Sequence, residues 1–217
     1  PDHHDSALSD DLLRLPECLL CNDYRTFGYS SHARFSPAYG HAKGFERFIY
    51  RQRNERQYYP QIINEAITNL ESNKNDSNFM FLHFFDTHHP YYPYSYLQNN
   101  LMSEFRDYGA FEKHKKKKGQ VPIIKYLMDQ RKTKLYEVDL ALDSLFSYLK
   151  KQVWFDDSIV ILTADHGTSF MPRNMPFTLD QIRIPLLVKM PFQDKRKDSK
   201  TSMPPDSNSQ KGVCSLK

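Results

Sequence analysis

Three short, continuously apolar segments constrain the fold of this chain most strongly. They lie at residues 79–85 (FMFLHFF), 158–163 (SIVILT) and 184–190 (IPLLVKM). Apolar residues that run on without alternation predict strands covered on both faces, as in parallel sheets with helices on either side. A weaker segment at 24–30 (YRTFGYS) favours a fourth strand.

Amphipathic helical patterns separate these predicted strands. Apolar residues recur at helical spacing in residues 59–70, and a longer pattern runs from 123 to about 151. The alternation predicts an α/β fold, with a mostly parallel sheet flanked by helices. Right-handed crossovers would make the segments at 79–85 and 158–163 neighbouring or near-neighbouring parallel strands, with their carboxyl ends at one edge.

Composition excludes several classes of protein. The 217 residues contain 39% hydrophobic and 14% aromatic residues, enough for a buried core, so the chain as a whole is not disordered. A net charge of +4 is too small to argue for nucleic-acid binding. No stretch is apolar for long enough to predict a transmembrane span. We expect one incomplete domain over residues 1–191, followed by a flexible, truncated polar segment at 192–217.

Other polar segments carry weaker signals. The segment 91–119 contains the run HKKKK, which we expect in a solvated loop, with anion steering as the alternative.

Cys18 and Cys21 have C-x-x-C spacing, and Cys214 makes the count odd. We interpret the spaced pair as buried or incidental, with a disulfide or a redox or metal role as alternatives. Asn75 begins a glycosylation sequon, which mildly favours a secreted or lumenal setting.

Two of the predicted strands end in clusters of chemically active side chains. The segment at 79–85 runs into DTHHP, and the segment at 158–163 runs into ADHG. Ligands of doubly wound α/β folds bind beyond the carboxyl ends of the strands. Asp165 and His166 can supply oxygen and nitrogen to one divalent cation. His88 can hydrogen-bond or charge-pair an anionic oxygen. We therefore expect these three residues in one pocket.

Four segments occur in a fixed order along the chain: FLHFFDTHHPYYPY, YEVDLALDSLFSYLKK, DDSIVILTADHG and IRIPLLVKMP. In that order they resemble the sulfatase family of the alkaline phosphatase superfamily. The family shows a strand ending near H-x-P, a helix with a Tyr and an inward Asp, a strand ending in S/T-x-D-H/N-G, and a short strand led by Pro. A stretch between Leu15 and Phe48 also resembles the family, so the resemblance covers about residues 15–191.

The resemblance implies roles for individual residues. Asp165 and His166 fall on the metal-ligand pair, and His88 falls on the catalytic His that contacts the sulfate or phosphate. His89 is a second candidate for substrate binding because the register there is ambiguous by one residue. Other polar residues are expected to be structural or solvated: Asp143 as a structural partner, His83 as a mid-strand core or helix-facing residue, and His3 and His4 in solvent.

The resemblance also implies that part of the machinery lies elsewhere. In the family, the nucleophile and the early acidic metal ligands precede the matched stretch. Cys18 and Cys21 lack the Pro and Arg of the formylglycine signature, so we expect a formylglycine nucleophile outside these 217 residues and a chain that is silent by itself. Ca²⁺ is the expected cation, with Zn²⁺ or Mn²⁺ as alternatives.

The expected function is that of part of a metal-dependent sulfatase-like hydrolase acting on sulfate esters. The alternatives are a phosphoethanolamine or phosphoglycerol transferase or phosphoesterase of the same superfamily, and a non-catalytic sulfatase-like binding domain. A further alternative is an unrelated α/β module in which the polar clusters are turns. The expected partner is a sulfate- or phosphate-ester substrate, in a secreted, lysosomal or membrane-associated lumenal or extracellular setting. Oligomeric state is left open.

Overall fold

A computed structural model of the protein describes residues 7–51, 58–88, 120–168 and 178–191, with only the backbone at 58–59 and 120–126. The elements follow the order α1 (Leu15–Leu20), β1 (Arg25–Ser30), β2 (Arg47–Tyr50), α2 (Tyr58–Ser72), β3 (Asn78–His83), α3 (Gln120–Leu149), β4 (Val160–Thr163), α4 (Leu179–Ile182) and β5 (Leu186–Lys189). The protein is therefore a mixed α/β structure. Every predicted strand and both predicted helices are confirmed, and β2 is an additional short strand.

The chain divides into two compact units, with the boundary between Phe146 and Ser147 in the last turn of α3. The first unit contains a parallel three-stranded sheet in the order β2-β1-β3. The second contains β4 and β5, which pair antiparallel. No helix within the described ranges is long and apolar enough to cross a bilayer.

Helix α2 covers one face of the parallel sheet. Phe27 and Tyr29 of β1 are buried against Ile62 and Ala66 of α2, and all four side chains are at most 4% exposed. The Tyr29 hydroxyl donates a hydrogen bond to the main-chain carbonyl of Glu65, at 3.4 Å. Burial of the phenol raises the pKa of Tyr29, although the hydrogen bond with the Asn69 amide opposes the rise.

The opposite face of the sheet is aromatic. Phe48 lies over Gly28 of β1, where a Cβ atom would overlap the Phe48 ring. Phe45 packs edge-on against Phe48 at 5.3 Å between ring centroids, and it stacks on Phe79 at 6.0 Å. Gly28 is thus required for the close packing of rings on the sheet, and not for an unusual backbone angle.

The pairing of the strands differs from the sequence-based expectation in one respect. Among the described residues, β3 pairs with β1, whereas β4 pairs with β5, so β3 and β4 belong to separate sheets. The expectation of near-neighbouring parallel strands in one sheet does not hold for them. After the short helix α4, β5 pairs with β4 in the antiparallel direction.

Three predicted features lie outside the described residues. They are the surface excursion at 91–119 with its basic run, the polar segment at 192–217, and the N-terminal residues His3 and His4. The structure distinguishes the two cysteines of the C-x-x-C pair. Cys18 is a free thiol, whereas Cys21 is disulfide-bonded. The two are therefore not joined to each other.

Candidate functional site

The carboxyl ends of β1 and β3 bring serine and histidine side chains together. Ser30 and His83 are paired in register, and the Ser30 hydroxyl lies 3.0 Å from Nδ1 of His83. His83 is the last residue of β3 rather than a mid-strand residue, because the strand ends two residues earlier than its apolar segment. The His83 ring stacks on Phe35 at 4.5 Å. It therefore lies on the aromatic face of the sheet, opposite to α2.

The turn after β3 is held by Ser31, which is 1% exposed. The backbone N–H of Phe85 donates to the Ser31 hydroxyl at 2.8 Å, and this hydroxyl donates to a carboxylate oxygen of Asp86 at 3.4 Å. The N–H of His88 then donates to the carbonyl of Phe85 at 3.0 Å and closes the turn. One buried serine thus fixes the backbone that presents His88.

A stack of three rings supports His88 from the side. The Phe85 ring lies 3.8 Å from His32 and 4.3 Å from His88 between ring centroids, with interplanar angles of 28° and 18°. His88 itself is exposed. The stack holds the imidazole in one orientation while leaving it accessible to a ligand. The strand-end cluster is defined as Ser31, His32, His83, Asp86 and His88.

Buried charges lie behind this cluster. Lys134 and Glu137 of α3 form an ion pair at 2.9 Å, and their side chains are 9% and 0% exposed. Burial raises the pKa of Asp86, and the negative charge of Glu137 adds to the rise. The positive charge of Lys134 and the hydrogen bond from Ser31 act in the opposite direction. Asp86 is therefore electrostatically linked to a charge pair on α3.

Sequence reasoning missed this buried charge pair. The buried polar residues of α3 recur at helical spacing: Gln130, Thr133, Lys134 and Glu137. A polar stripe at this spacing is normally interpreted as the solvated face of a helix. The available signal was the i,i+3 pairing of opposite charges, but exposed helices show the same pattern. Asp143, expected to be a structural partner, is exposed on α3.

The second predicted pair lies directly after β4. An oxygen of the Asp165 carboxylate accepts a hydrogen bond from the backbone N–H of His166 at 2.8 Å. Nδ1 of His166 lies 2.7 Å from the carbonyl oxygen of Gly167, so Nδ1 carries the proton that it donates. Nε2 of His166 faces the other Asp165 oxygen at 3.7 Å. The side chains of Asp165 and His166 are 84% and 63% exposed.

This arrangement suits two ligands of one divalent cation. Metal-bound histidines commonly donate a hydrogen bond from the N–H of the second ring nitrogen to a backbone carbonyl, which fixes the tautomer and leaves the other nitrogen free to coordinate. His166 has this arrangement, and its free Nε2 lies on the same side as a carboxylate oxygen. These two side chains supply only part of the ligands that a divalent cation needs. Within the described ranges, no group of three or more His, Cys, Asp or Glu side chains is placed to hold a metal.

Gly167 is required at its position because of helix α4. A Cβ atom there would overlap the carbonyl oxygen of Asp180, and the Gly167 N–H donates to the carbonyl of Gln181 at 2.7 Å. Glycine is also the usual residue where the backbone adopts a positive φ. The φ of Gly167 is not positive, so the close approach of the α4 backbone is the physical reason for glycine.

The predicted meeting of His88 with Asp165 and His166 stays a prediction. His88 belongs to the first unit, and the other two residues belong to the second. His89, the second candidate for substrate binding, lies outside the described residues. The structure therefore describes two separate polar groups, each at the carboxyl end of a strand.

Comparison with known proteins identifies the family. The family model described as Sulfatase matches residues 7–208. The chain belongs to the sulfatase family. A solved structure from Vibrio parahaemolyticus, described as a protein in the alkaline phosphatase superfamily, is similar with a TM-score of 0.52 and 21% sequence identity. The similarity covers 84% of this chain and 43% of that structure. A search of curated proteins found no match.

Membership of the sulfatase family confirms the resemblance seen in the sequence motifs of the chain. This sulfatase-family chain has the α/β fold of the alkaline phosphatase superfamily and spans less than half of the Vibrio structure.

Proposed function

We propose that this chain is part of a metal-dependent hydrolase of sulfate esters. The observation that carries the proposal is the His166 ring, whose Nδ1–H is held by a backbone carbonyl while Nε2 faces the Asp165 carboxylate. The sulfatase match over residues 7–208 supports the reaction class. The proposal goes beyond that match in naming a metal, the ligand pair and sulfate esters.

Asp165 and His166 would hold the cation from one side. Ca²⁺ is the proposed metal because sulfatase-type sites draw most of their ligands from oxygen donors, which this cation prefers. A bound divalent cation would supply positive charge that stabilises charge developing on an ester oxygen. The high exposure of both side chains leaves room for substrate and for further ligands from outside the described residues.

His88 is the proposed catalytic and substrate-binding residue. Its exposed imidazole, stacked on Phe85, can donate a hydrogen bond to an ester oxyanion or give a proton to the leaving alcohol. Phe85 stacks on the imidazole, and Ser31 accepts a hydrogen bond from the backbone of the turn that carries His88. A formylglycine nucleophile is proposed outside these 217 residues, since the sequence contains no Cys-x-Pro-Ser-Arg motif.

One observation favours a second candidate. The ligand pair contains His166, and an imidazole donor suits Zn²⁺ or Mn²⁺ better than Ca²⁺. This donor favours a phosphoester hydrolase or a phosphoethanolamine- or phosphoglycerol-type transferase of the same superfamily. A sulfatase-like domain without catalytic activity is the remaining outcome of the test.

The test compares substrates and metals in the protein expressed from the full coding sequence. Rates are measured on an aryl sulfate and an aryl phosphate with Ca²⁺, Zn²⁺ or Mn²⁺, for wild type, His88→Asn and the control His41→Asn. We expect aryl sulfate to be the better substrate, with His88→Asn lowering kcat by about 100-fold or more, within the range of general acid–base catalysis. Preference for aryl phosphate with Zn²⁺ would select the second candidate. No turnover by folded protein with any metal would select the non-catalytic domain.

A further inference from the structure

The turn between α2 and β3 carries a chemical signal that the proposed function does not use. Asn75, Asp76 and Ser77 form an N-x-S sequon, and it is the single such sequon in the 217 residues. We infer that Asn75 is an acceptor for an N-linked glycan in a protein that enters the secretory pathway. The inference stands apart from the proposed function, because it concerns neither the metal pair nor the ester substrate.

The structure places Asn75 in an exposed turn. Its neighbours build this turn: the Asn78 amide donates to the carbonyls of Asn73 and Asp76 at 2.8 Å each, and the Asp76 N–H donates to the carbonyl of Asn73 at 3.0 Å. No hydrogen bond to another described residue uses the Asn75 side chain. A glycan on its amide would therefore cost the turn no hydrogen bond among these residues.

The position of Asn75 also suits a bulky modification. The turn lies just before Asn78, the first residue of β3, whereas His83 is the last residue of that strand. Five residue steps along an extended strand correspond to about 16 Å. A glycan on Asn75 would thus be attached near the amino-terminal end of β3, whereas the strand-end cluster lies at its carboxyl end. His88 would remain accessible.

The cysteines provide an independent indication of the compartment. Cys21 is disulfide-bonded, and structural disulfides form in oxidising compartments, including the lumen in which N-glycans are attached. The co-reactant of the proposed modification is a lipid-pyrophosphate-linked oligosaccharide. The amide nitrogen of Asn75 forms a bond to the anomeric carbon, and the bond from that carbon to the pyrophosphate oxygen breaks. The lipid pyrophosphate leaves with the electron pair, and the amide loses one proton.

The experiment adds a cleavable secretory leader to the chain and a C-terminal tag with one efficient sequon. The tag reports that each molecule has reached the lumen. In eukaryotic cells we expect two glycans on wild type, removed by an endoglycosidase, and one glycan on Asn75→Gln and on Ser77→Ala. Ser77→Thr keeps the sequon and is expected to carry two glycans. The matched control Asn64→Gln, which changes an exposed asparagine of α2 outside any sequon, is also expected to carry two.

Two results would overturn the inference. One is a single glycan, on the tag, in both wild type and Ser77→Thr, since the tag would show that the chain had reached the lumen without modification of Asn75. The other is a second glycan that persists in Asn75→Gln. Because neither readout depends on catalysis, loss of the proposed sulfatase activity leaves this test unaffected.

Discussion

The ion pair between Lys134 and Glu137 is costly to break because both side chains are buried. Removing one partner of a buried ion pair costs about 3–5 kcal/mol, because the other charge loses its nearest opposite charge in a buried position. We expect Lys134→Met to lower the free energy of unfolding by this amount, as measured by urea denaturation followed by circular dichroism. The double variant Lys134→Met/Glu137→Leu should recover much of the loss, because apolar side chains then replace both charges of the buried pair.

The matched control is the pair formed by Glu71, in the last turn of α2, and Lys74, in the turn that follows the helix. It has the same i,i+3 spacing and a similar distance of 3.0 Å, but its side chains are 52% and 54% exposed. Exposed pairs contribute less than about 1 kcal/mol, so Lys74→Met should have little effect. Equal losses in Lys134→Met and Lys74→Met would show that the α3 pair is not buried in solution.

The raised pKa of Asp86 predicts how the free energy of unfolding depends on pH. Burial raises its pKa above the ordinary carboxyl value of 3.8, so the folded state binds this proton more tightly than the unfolded state. Asp86 therefore stabilises the fold at low pH, and its contribution falls as the pH rises from the ordinary value to the raised one. The slope is at most about 1.4 kcal/mol per pH unit for one proton.

The measurement compares unfolding free energies of wild type and Asp86→Asn from pH 4 to 7. The carboxamide of the variant does not ionise between pH 4 and 7. Its stability relative to wild type should therefore increase as the pH rises through the raised pKa of Asp86. The control Asp76→Asn changes an exposed carboxylate in the turn before β3 and should run parallel to wild type. A constant difference between wild type and Asp86→Asn over the whole range would contradict the prediction.

At the scale of elements, the contact between β1 and α2 carries the core of the first unit. Ile62 is 0% exposed and packs with Phe27, Tyr29 and Ala66. Truncating a buried isoleucine to alanine costs about 2–5 kcal/mol. We expect Ile62→Ala to lower the unfolding free energy by this amount, and Leu135→Ala, at a position 46% exposed on α3, to cost less than half as much. Similar losses would place the core elsewhere.

The elements themselves could largely be predicted from the sequence. Apolar residues at helical spacing indicated α2 and α3, and continuous apolar segments indicated β1, β3, β4 and β5. The antiparallel pairing of β4 with β5 could not be predicted, because an apolar strand does not encode which neighbour it will pair with. The short strand β2 was missed because its four residues, RFIY, include a charge and follow a polar segment.

The candidate site was predictable only where it is local. Asp165 and His166 are adjacent in sequence, so their proximity was certain, whereas the hydrogen bond from His166 to Gly167 depends on the backbone conformation after β4. Ser31 was not predicted because its contacts with Phe85 and Asp86 join residues more than 50 positions apart. Lys134 and Glu137 were missed because burial of a polar helix stripe depends on tertiary packing.

At the scale of the whole molecule, the 217 residues alone are predicted to be catalytically silent. The sequence contains no formylglycine signature, and Asp165 with His166 supplies only part of a ligand set. Rates on aryl sulfate and aryl phosphate should therefore equal the buffer rate for the purified chain with any of the three metals. Metal-dependent turnover by the chain, abolished in Asp165→Ala, would show that a nucleophile is present within these residues.

The central claim is that Asp165 and His166 hold a cation on which ester hydrolysis depends. Its most direct test uses protein expressed from the full coding sequence and freed of metal with a chelator. Ca²⁺ is titrated into this protein, and the rate of aryl sulfate hydrolysis is measured. For Asp165→Asn, we predict that half-maximal activity requires more than about 100-fold more Ca²⁺, because the variant loses a charged ligand and even outer-shell losses cost 10–100-fold. Asp157→Asn, which changes an exposed carboxylate before the start of β4, should titrate like wild type. Identical titrations of wild type and Asp165→Asn would contradict the claim.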